Sequence, residues 1–303
     1  MVGAVDIGGT KVHVGLVEGT GAILFEQLIP TRPDTQSAED TIHRITEVLK
    51  GFCARQEIQL HQLAGIGVAC AGPVNIEKGV VENPYTLPGW EGYPIVRRLE
   101  ELAQTAVRIE NDANAALLGE VYLNHLEAEK VLMLTFGTGI GVACWKGGQL
   151  HRAGEYHPEM GHTIVASYGE ECYCRHRGCF ESLCSGMALN KRAEALGYSN
   201  FDNLFSAAMA GDGKAGALLN SVRCEVKNGV WNLCVVFKPD TVILGGGLMT
   251  GYFNFFQDAI LEEQLGGRKD FIHAYRVLPA NRQVNPALAG AIMLLRGQES
   301  CQG

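Results

Sequence analysis

Three cysteines, Cys172, Cys174 and Cys179, fall within eight residues of one another. Thiolates crowded this closely, in a chain that opens without a secretion signal, read as ligands for a metal ion rather than as disulfide partners. A closed site needs a fourth ligand, and on spacing alone His157, His162 and His176 all compete for that place. The other seven cysteines, Cys53, Cys70, Cys144, Cys184, Cys224, Cys234 and Cys301, are scattered. Cysteines of that kind in apolar surroundings are usually small buried hydrophobes.

A second chemistry is carried by glycine. Gly8-Gly9-Thr10, Gly137-Thr138-Gly139 and Gly245-Gly246-Gly247 each follow an apolar run. Glycine turns expose backbone N–H groups with no side chain in the way, and such concave arrays bind phosphate. Thr10 and Thr138 add hydroxyls and Lys11 a positive charge, while Asp6 can hold Mg²⁺ through water. Any one such turn needs no ligand to explain it, since a tight turn by itself asks for glycine; three, two of them carrying threonine, point to a nucleotide. The site is neither a P-loop nor a dinucleotide crevice. The nearest approach to a P-loop, Gly213-Lys214, has Ala208 and Ala215 where glycine and a hydroxyl residue belong, and Gly137-Thr138-Gly139-Ile140-Gly141 runs on into Val142.

These residues need elements to hold them. Val2–Asp6, a strand around Val12–Val17 and Ala22–Ile29 read as successive strands, and Ser37–Gln56 as a helix with Ile42, Ile45, Leu49 and Phe52 on one face, capped by Ser37 or Asp40. Leu63–Ala71 reads as a buried strand, Pro94–Ala103 as a helix, Ala106–Glu110 as a strand and Asn114–Leu123 as a helix. Strands at Val131–Thr135 and Ile140–Trp145 flank the second turn. Residues 146–182 form a connection too long to be structureless in a compact domain. Helices are expected at Ser185–Leu196, Phe201–Ala210, Ala215–Phe237, Tyr252–Leu265 and Pro286–Arg296, with strands at Thr241–Leu244 and Ala274–Leu278. The strand–turn–strand VDIGGTKVHVGLV recurs as LTFGTGIGVACW, a weak internal repeat of the kind two similar α/β halves would leave.

Composition sets the limits. The 303 residues are 47% hydrophobic, which is ordinary for a globular chain and excludes wholesale disorder. No apolar run approaches the ~18 residues that span a bilayer. A net charge of −8 argues against a nucleic-acid-binding surface. The expectation is a cytoplasmic protein with no nucleic-acid and no membrane partner.

Asp6-Ile7-Gly8-Gly9-Thr10-Lys11, together with the second Gly-Thr-Gly turn, resembles the ROK family of sugar kinases and sugar-responsive repressors. The resemblance runs on through Cys70-Ala71-Gly72-Pro73-Val74, Leu87-Pro88-Gly89-Trp90, Asn111-Asp112-Ala113-Asn114, Glu159-Met160-Gly161-His162, the cysteine cluster to Glu181, and Leu244–Gly247. It implies an α/β protein of the actin/hexokinase fold: two ribonuclease-H-like domains around a central cleft, with a zinc-binding loop. The domains expected are residues 1–115 plus 284–303, and residues 116–283 carrying the zinc loop 155–182. A homodimer is implied as well.

The resemblance implies an ATP-dependent hexose kinase that moves the γ-phosphate to a sugar 6-hydroxyl. It makes Asp112 the general base; from the residues alone Asp112 serves equally well as a helix N-cap. Gly72, Asn111, Asp112, Glu159, His162 and Glu181 are then the sugar-binding residues. Asp6, Gly8, Gly9, Thr10, Lys11, Gly137, Thr138, Gly139, Gly245, Gly246 and Gly247 are the ATP-binding ones, with Mg²⁺ accompanying the nucleotide. His162, Cys172, Cys174 and Cys179 become the ligands of a structural zinc ion. Arg175 stands where the family usually has glycine, and Thr86 where it usually has a sugar-contacting asparagine. Phe136–Trp145 and Cys184–Leu189 look closer to the D-allose kinase group than to typical glucokinases, so D-allose or D-glucose is the expected substrate. N-acetylmannosamine, N-acetylglucosamine and fructose are the alternatives. Two further classes compete, a sugar-sensing ROK regulator and a catalytic metalloenzyme. Only five residues precede Asp6, leaving no room ahead of it for a winged helix-turn-helix, and a closed ligand set has no position for a reacting water.

Overall fold

The computed structural model describes residues 1–31, 37–266 and 271–296. They fall into two compact α/β units. The first comprises Met1–Ala128, Gly148–Pro158 and the chain from Asn281 onward; the second comprises Glu129–Gly147 and Glu159–Ala280. Cys301 and the rest of 297–303 lie outside the described residues.

In the first unit β1 (Val2–Ile7), β2 (Lys11–Val17) and β3 (Ile23–Pro30) form an antiparallel meander. Helix α1 (Ala38–Arg55) starts at a reciprocal cap: Asp40 N–H donates to Ser37 Oγ at 3.1 Å, and Ser37 N–H donates to the Asp40 carboxylate at 3.1 Å. Its Ile42, Ile45, Leu49 and Phe52 are buried, as the periodicity requires. Next come β4 (Ile66–Cys70), the two-residue strands β5 (Val74–Asn75) and β6 (Val80–Val81), α2 (Ile95–Ala103), β7 (Val107–Asn111) and α3 (Asp112–Leu123). The sheet order is β3-β2-β1-β4-β7, with β4 and β7 parallel to β1 and its neighbour. Register aligns Ile7, Cys70 and Asn111 in one row across the three parallel strands.

The second unit repeats this plan. β8 (Val131–Phe136) and β9 (Ile140–Lys146) form a hairpin; the chain then passes through β10 (Gln149–Leu150) in the first unit's Gly148–Pro158 segment. A short helix α4 (Phe180–Cys184) closes the long connection, and the helix expected at Ser185–Leu196 follows as α5 (Gly186–Ala195). Ser185 is extended between them, closing one helix and capping the next by accepting from Ala188 N–H at 3.2 Å. Helices α6 (Phe201–Met209) and α7 (Gly213–Phe237), strand β11 (Thr241–Gly245), helix α8 (Met249–Gly266) and strand β12 (Arg276–Pro279) complete it. Its strands run in the order β9-β8-β11-β12, with β11 parallel to both β8 and β12. Leu132, Leu134, Phe136, Phe180, Val230 and Phe256 are buried together in its core.

The last helix, α9 (Pro286–Arg296), belongs to the first unit, and it approaches its neighbours at glycine and alanine. A Cβ on Gly290 would overlap the Ala115 carbonyl of α3, and one on Gly67 of β4 would stand 2.6 Å from Ala291. Close packing here keeps the start of α3 and the end of β4 in fixed relation. Among the described residues no helix is long and apolar enough to cross a membrane.

Candidate functional site

The carboxyl ends of β1, β4 and β7 gather the first unit's candidates, as the open edges of parallel sheets commonly do. Asp6 lies one residue before the row formed by Ile7, Cys70 and Asn111; Gly8 and Gly9 follow β1, Gly72 follows β4 and Asp112 follows β7. Burial raises the Asp6 carboxyl above its ordinary value, opposed first by a hydrogen bond from Asn285 and then by the charges of His13 and Lys11. The Gly8 N–H is committed to the Lys11 carbonyl at 3.0 Å, and Thr31 Oγ1 donates to the Gly8 carbonyl at 2.7 Å. A Cβ on Gly9 would stand 2.7 Å from the Thr86 carbonyl oxygen, so the β1–β2 turn and the Thr86 loop need glycine to meet. Thr10 and Lys11 are exposed.

Asp112 opens α3, yet it is not the helix's cap. That place is Asn111's, whose Oδ1 accepts from Ala113 N–H at 2.9 Å and Asn114 N–H at 3.3 Å. Asp112 is exposed, and its own Oδ1 accepts from Ala113 N–H at 2.8 Å. The Asn111 oxygen is thus taken by the backbone, and its Nδ2 faces Gly72, where a Cβ would stand 2.9 Å away. Beneath this segment Glu110 is fully buried. Its carboxylate accepts from Asn114 Nδ2 at 2.9 Å, from Asn111 N–H at 3.0 Å, and from Arg152 Nη2 at 2.5 Å.

In the second unit the β8–β9 turn and the end of β11 open on a cavity of about 690 Å³. Gly137, Thr138 and Gly247 line it, joined by Gly186, Met187, Asn190, Lys191 and Glu194 of α5 and by Leu248. The remaining glycines of these turns point elsewhere: Gly245 is buried in β11, and Gly246, at φ +89°, packs on the Phe136 backbone. Gly139 faces Glu181, and a Cβ there would overlap the carboxylate. Glu181 Oε2 accepts from Ile140 N–H at 2.8 Å.

The long connection is organised by its own hydrogen bonds. Val165 N–H donates to the Gly178 carbonyl at 2.8 Å, Phe180 N–H to Thr163 at 2.9 Å and Cys172 N–H to His176 at 2.8 Å. One ligand atom from each of His162, Cys172, Cys174 and Cys179 lies within 4.8 Å of the other three. Cys172 Sγ is 3.4 Å from His162 Nδ1, and Cys174 Sγ is 3.5 Å from Cys179 Sγ. Tetrahedral zinc with bonds of about 2.3 Å to sulfur and 2.0 Å to nitrogen sets ligand atoms about 3.5–3.8 Å apart, so the donor set fits that ion. His176 is exposed and turns its Nδ1 to the Cys174 carbonyl at 3.2 Å. His157, in the other unit, buries an Nδ1 that has no partner among the described residues.

A model of the ROK family matches residues 2–298. The chain belongs to the ROK family. An N-acetylmannosamine kinase of Vibrio cholerae serotype O1 is 31% identical over 293 residues, 95% of this chain and 96% of that protein. A solved ROK hexokinase from Thermus thermophilus is 30% identical with a TM-score of 0.83, covering 100% of this chain and 99% of its own. A ROK family glucokinase from Streptomyces griseus, solved with glucose and AMPPNP, is 29% identical with a TM-score of 0.74, covering 98% and 99%.

Several ROK chain residues near these turns escape a reading of motifs. Asn285 Nδ2 donates to Asp6 at 3.3 Å and to His13 Nδ1 at 2.9 Å, and its side-chain oxygen caps α9. Asn83 Nδ2 donates to Thr86 Oγ1 at 2.7 Å and to the Ala71 carbonyl at 3.1 Å, tying the Thr86 loop to the end of β4. Glu110 and Arg152 lie 42 positions apart in the chain, and only the fold joins them. Ser185-Gly186, an N-cap before a helix, was the one local signal for the α5 side of the cavity.

Proposed function

We propose that this chain transfers the γ-phosphate of ATP to the 6-hydroxyl of a hexose, with Asp112 as general base. As a ROK family member whose full-length relatives include a glucokinase and an N-acetylmannosamine kinase, it is an ATP-dependent sugar kinase. The observation that carries the role of Asp112 is the capping of α3 by Asn111. An exposed carboxylate at the carboxyl end of a parallel strand, not required as a cap, is suited to accept the hydroxyl proton and align the oxygen with the phosphorus.

The nucleotide's phosphates meet the glycine turns, where Gly137, Thr138 and Gly247 border the cavity and Thr10 and Lys11 supply a hydroxyl and a charge. Gly8, Gly9, Gly139, Gly245 and Gly246 shape these turns rather than all touching ligand. Asp6 would hold Mg²⁺, which neutralises phosphate charge when bound. Glu159, His162 and Glu181 hold sugar hydroxyls, with Gly72 and Asn111 Nδ2 at the end of β4. Desolvation and the Glu181 charge raise the Glu159 carboxyl above its ordinary value, while His162 opposes them. His162, Cys172, Cys174 and Cys179 would hold a zinc ion, a closed set whose role is to fix the loop bearing these side chains. Each unit is read as ribonuclease-H-like, and the protein as cytoplasmic, where ATP and reduced thiols coexist.

D-allose and D-glucose are the proposed substrates. The relation to an N-acetylmannosamine kinase supports a second reading, an N-acetylhexosamine in their place. Thr86, with its hydroxyl held by Asn83, is the position on which that choice turns. A coupled ADP-release assay across hexoses and N-acetylhexosamines, ranked by kcat/KM, tests both. Sugar-dependent ADP formation is expected; its absence with every sugar overturns the kinase reading.

A further inference from the structure

We propose that Glu110 and Arg152 are positioning residues for phosphoryl transfer, the buried carboxylate setting the place of Asp112 and the guanidinium setting the carboxylate. The inference rests on the reading of Asp112 as general base. Glu110 is the penultimate residue of β7, the last strand of its sheet, and it is fully buried. Its Oε1 accepts from Asn111 N–H at 3.0 Å and from Asn114 Nδ2 at 2.9 Å. Those two residues stand on either side of Asp112, one closing the strand and one in the first turn of α3. A single oxygen therefore spans the junction that carries the base.

The other oxygen faces Arg152. Oε2 accepts from Arg152 Nε at 3.1 Å and from Nη2 at 2.5 Å, so each carboxylate oxygen holds two donors, the number its lone pairs accommodate. Two charged donors on Oε2 fix the rotation of the carboxyl group, and Oε1 is thereby held against the junction. The guanidinium also neutralises a charge that would otherwise be buried without a partner. Arg152 is itself anchored within the Gly148–Pro158 segment. Ala153 and Tyr156 exchange backbone hydrogen bonds at 3.0 and 3.3 Å, and Glu155 Oε2 accepts from Asn75 Nδ2 at 2.7 Å.

Helix stability does not require this carboxylate, because Asn111 Oδ1 already caps α3 through Ala113 N–H and Asn114 N–H. A buried ion pair is moreover a weak source of stability, since desolvation consumes most of what the charges gain. Direction is what it adds. With Asn111 N–H on Glu110 and Asn111 Oδ1 on the helix, the backbone on the strand side of Asp112 is tied at both groups. In-line transfer depends on where the accepting carboxylate lies, and a shift of about 1 Å costs up to about 10²-fold in rate. Exposure agrees: the Arg152 side chain is 42% exposed and that of Glu110 0%, so the arginine reaches inward to a charge rather than filling the core.

The test is Arg152→Met, which keeps an apolar stem and removes the donors. kcat should fall about tenfold or more, while the sugar dissociation constant, read by calorimetry, and the ATP KM stay within about threefold. Arg152→Lys returns a charged donor to Oε2 and should restore kcat to within about threefold of wild type. Should Arg152→Met fail to fold because it strands a buried charge, its combination with Glu110→Gln leaves no charge behind and should show the same split. A folded variant whose kcat stays within about threefold of wild type overturns the inference. So does a loss of kcat matched by an equal loss of sugar affinity, or one that lysine does not restore, since either marks a merely structural pair. Asp112→Asn keeps the two readings apart. If it is inactive while Arg152→Met is unimpaired, only this inference falls; if it turns over like wild type, the base role falls and this inference with it.

Discussion

Glu181 is bonded to the β8–β9 turn itself: its Oε2 accepts from Ile140 N–H at 2.8 Å, and Gly139 is the residue whose lack of a side chain lets the carboxylate in. A residue expected to touch sugar and a turn expected to touch phosphate are thus one construction within the second unit. Gly139→Ala would drive a methyl into the carboxylate and displace it. Sugar KM should rise about tenfold, the cost of one charge-assisted hydrogen bond. At Gly137 a Cβ would find nothing within 4 Å, so Gly137→Ala should leave sugar KM unchanged. Steady-state kinetics on both variants separates the two sites, and equal effects would break the proposed link.

Asp112→Asn keeps the shape of the α3 start and removes the proton acceptor. Because Asn111 supplies the cap, the helix should persist and melting temperature should move little. Turnover should fall by about 10²-fold or more, the usual contribution of a positioned general base, while sugar affinity stays within a few-fold. Turnover close to wild type would remove Asp112 from that role.

Metal analysis of protein purified without chelator should find about one zinc per chain. Cys174→Ser should lose it, along with melting temperature, because a set of four ligands holds a loop with little regular structure. The six scattered cysteines among the described residues need no such function: five are buried as small apolar groups and only Cys224 is exposed.

Much of this was legible in the sequence because it depends on local spacing. Alternating and continuous apolar runs located every long strand, and the Ser37–Asp40 pair marked the start of α1 before either atom had a position. The cysteine cluster was legible because its ligands crowd within a short segment. Residues that meet only through folding were not. Glu110 and Arg152, Asn285 with Asp6, and Asn83 with Thr86 are pairings that no local pattern announces. The short helix α4 inside the long connection was not legible, because five residues are too few to show a helical period.

Arg175 holds a left-handed backbone, φ +69°, two residues from Arg177 in a turn that ROK chains usually make with glycine. A non-glycine residue there costs about 1–2 kcal/mol, and glycine's greater freedom when unfolded returns about 0.5–1 kcal/mol of that. Arg175→Gly should therefore raise stability by roughly 0.5–1 kcal/mol, visible as a rise of a few degrees in melting temperature. Gly178→Ala is the opposite case. At φ +78° its Cβ would overlap the Ala166 carbonyl, and loss of both stability and bound metal is expected.

His157 gives the fold a defined sensitivity to acid. Burial lowers its pKa from 6.5 to about 4, and its Nδ1 has no partner with which to share a second proton. A group whose folded pKa lies below its unfolded one favours the fold when neutral, so the contribution is complete above about pH 6.5 and is lost as pH falls toward 4. The loss is on the order of 2–3 kcal/mol. Denaturant unfolding at a series of pH values should show stability declining across that window in the wild type. His157→Leu should be flatter over the same range, because a leucine has no proton to take up on unfolding. If the two slopes are equal, His157 is solvated in the folded protein, and the acid response belongs to carboxylates that titrate lower.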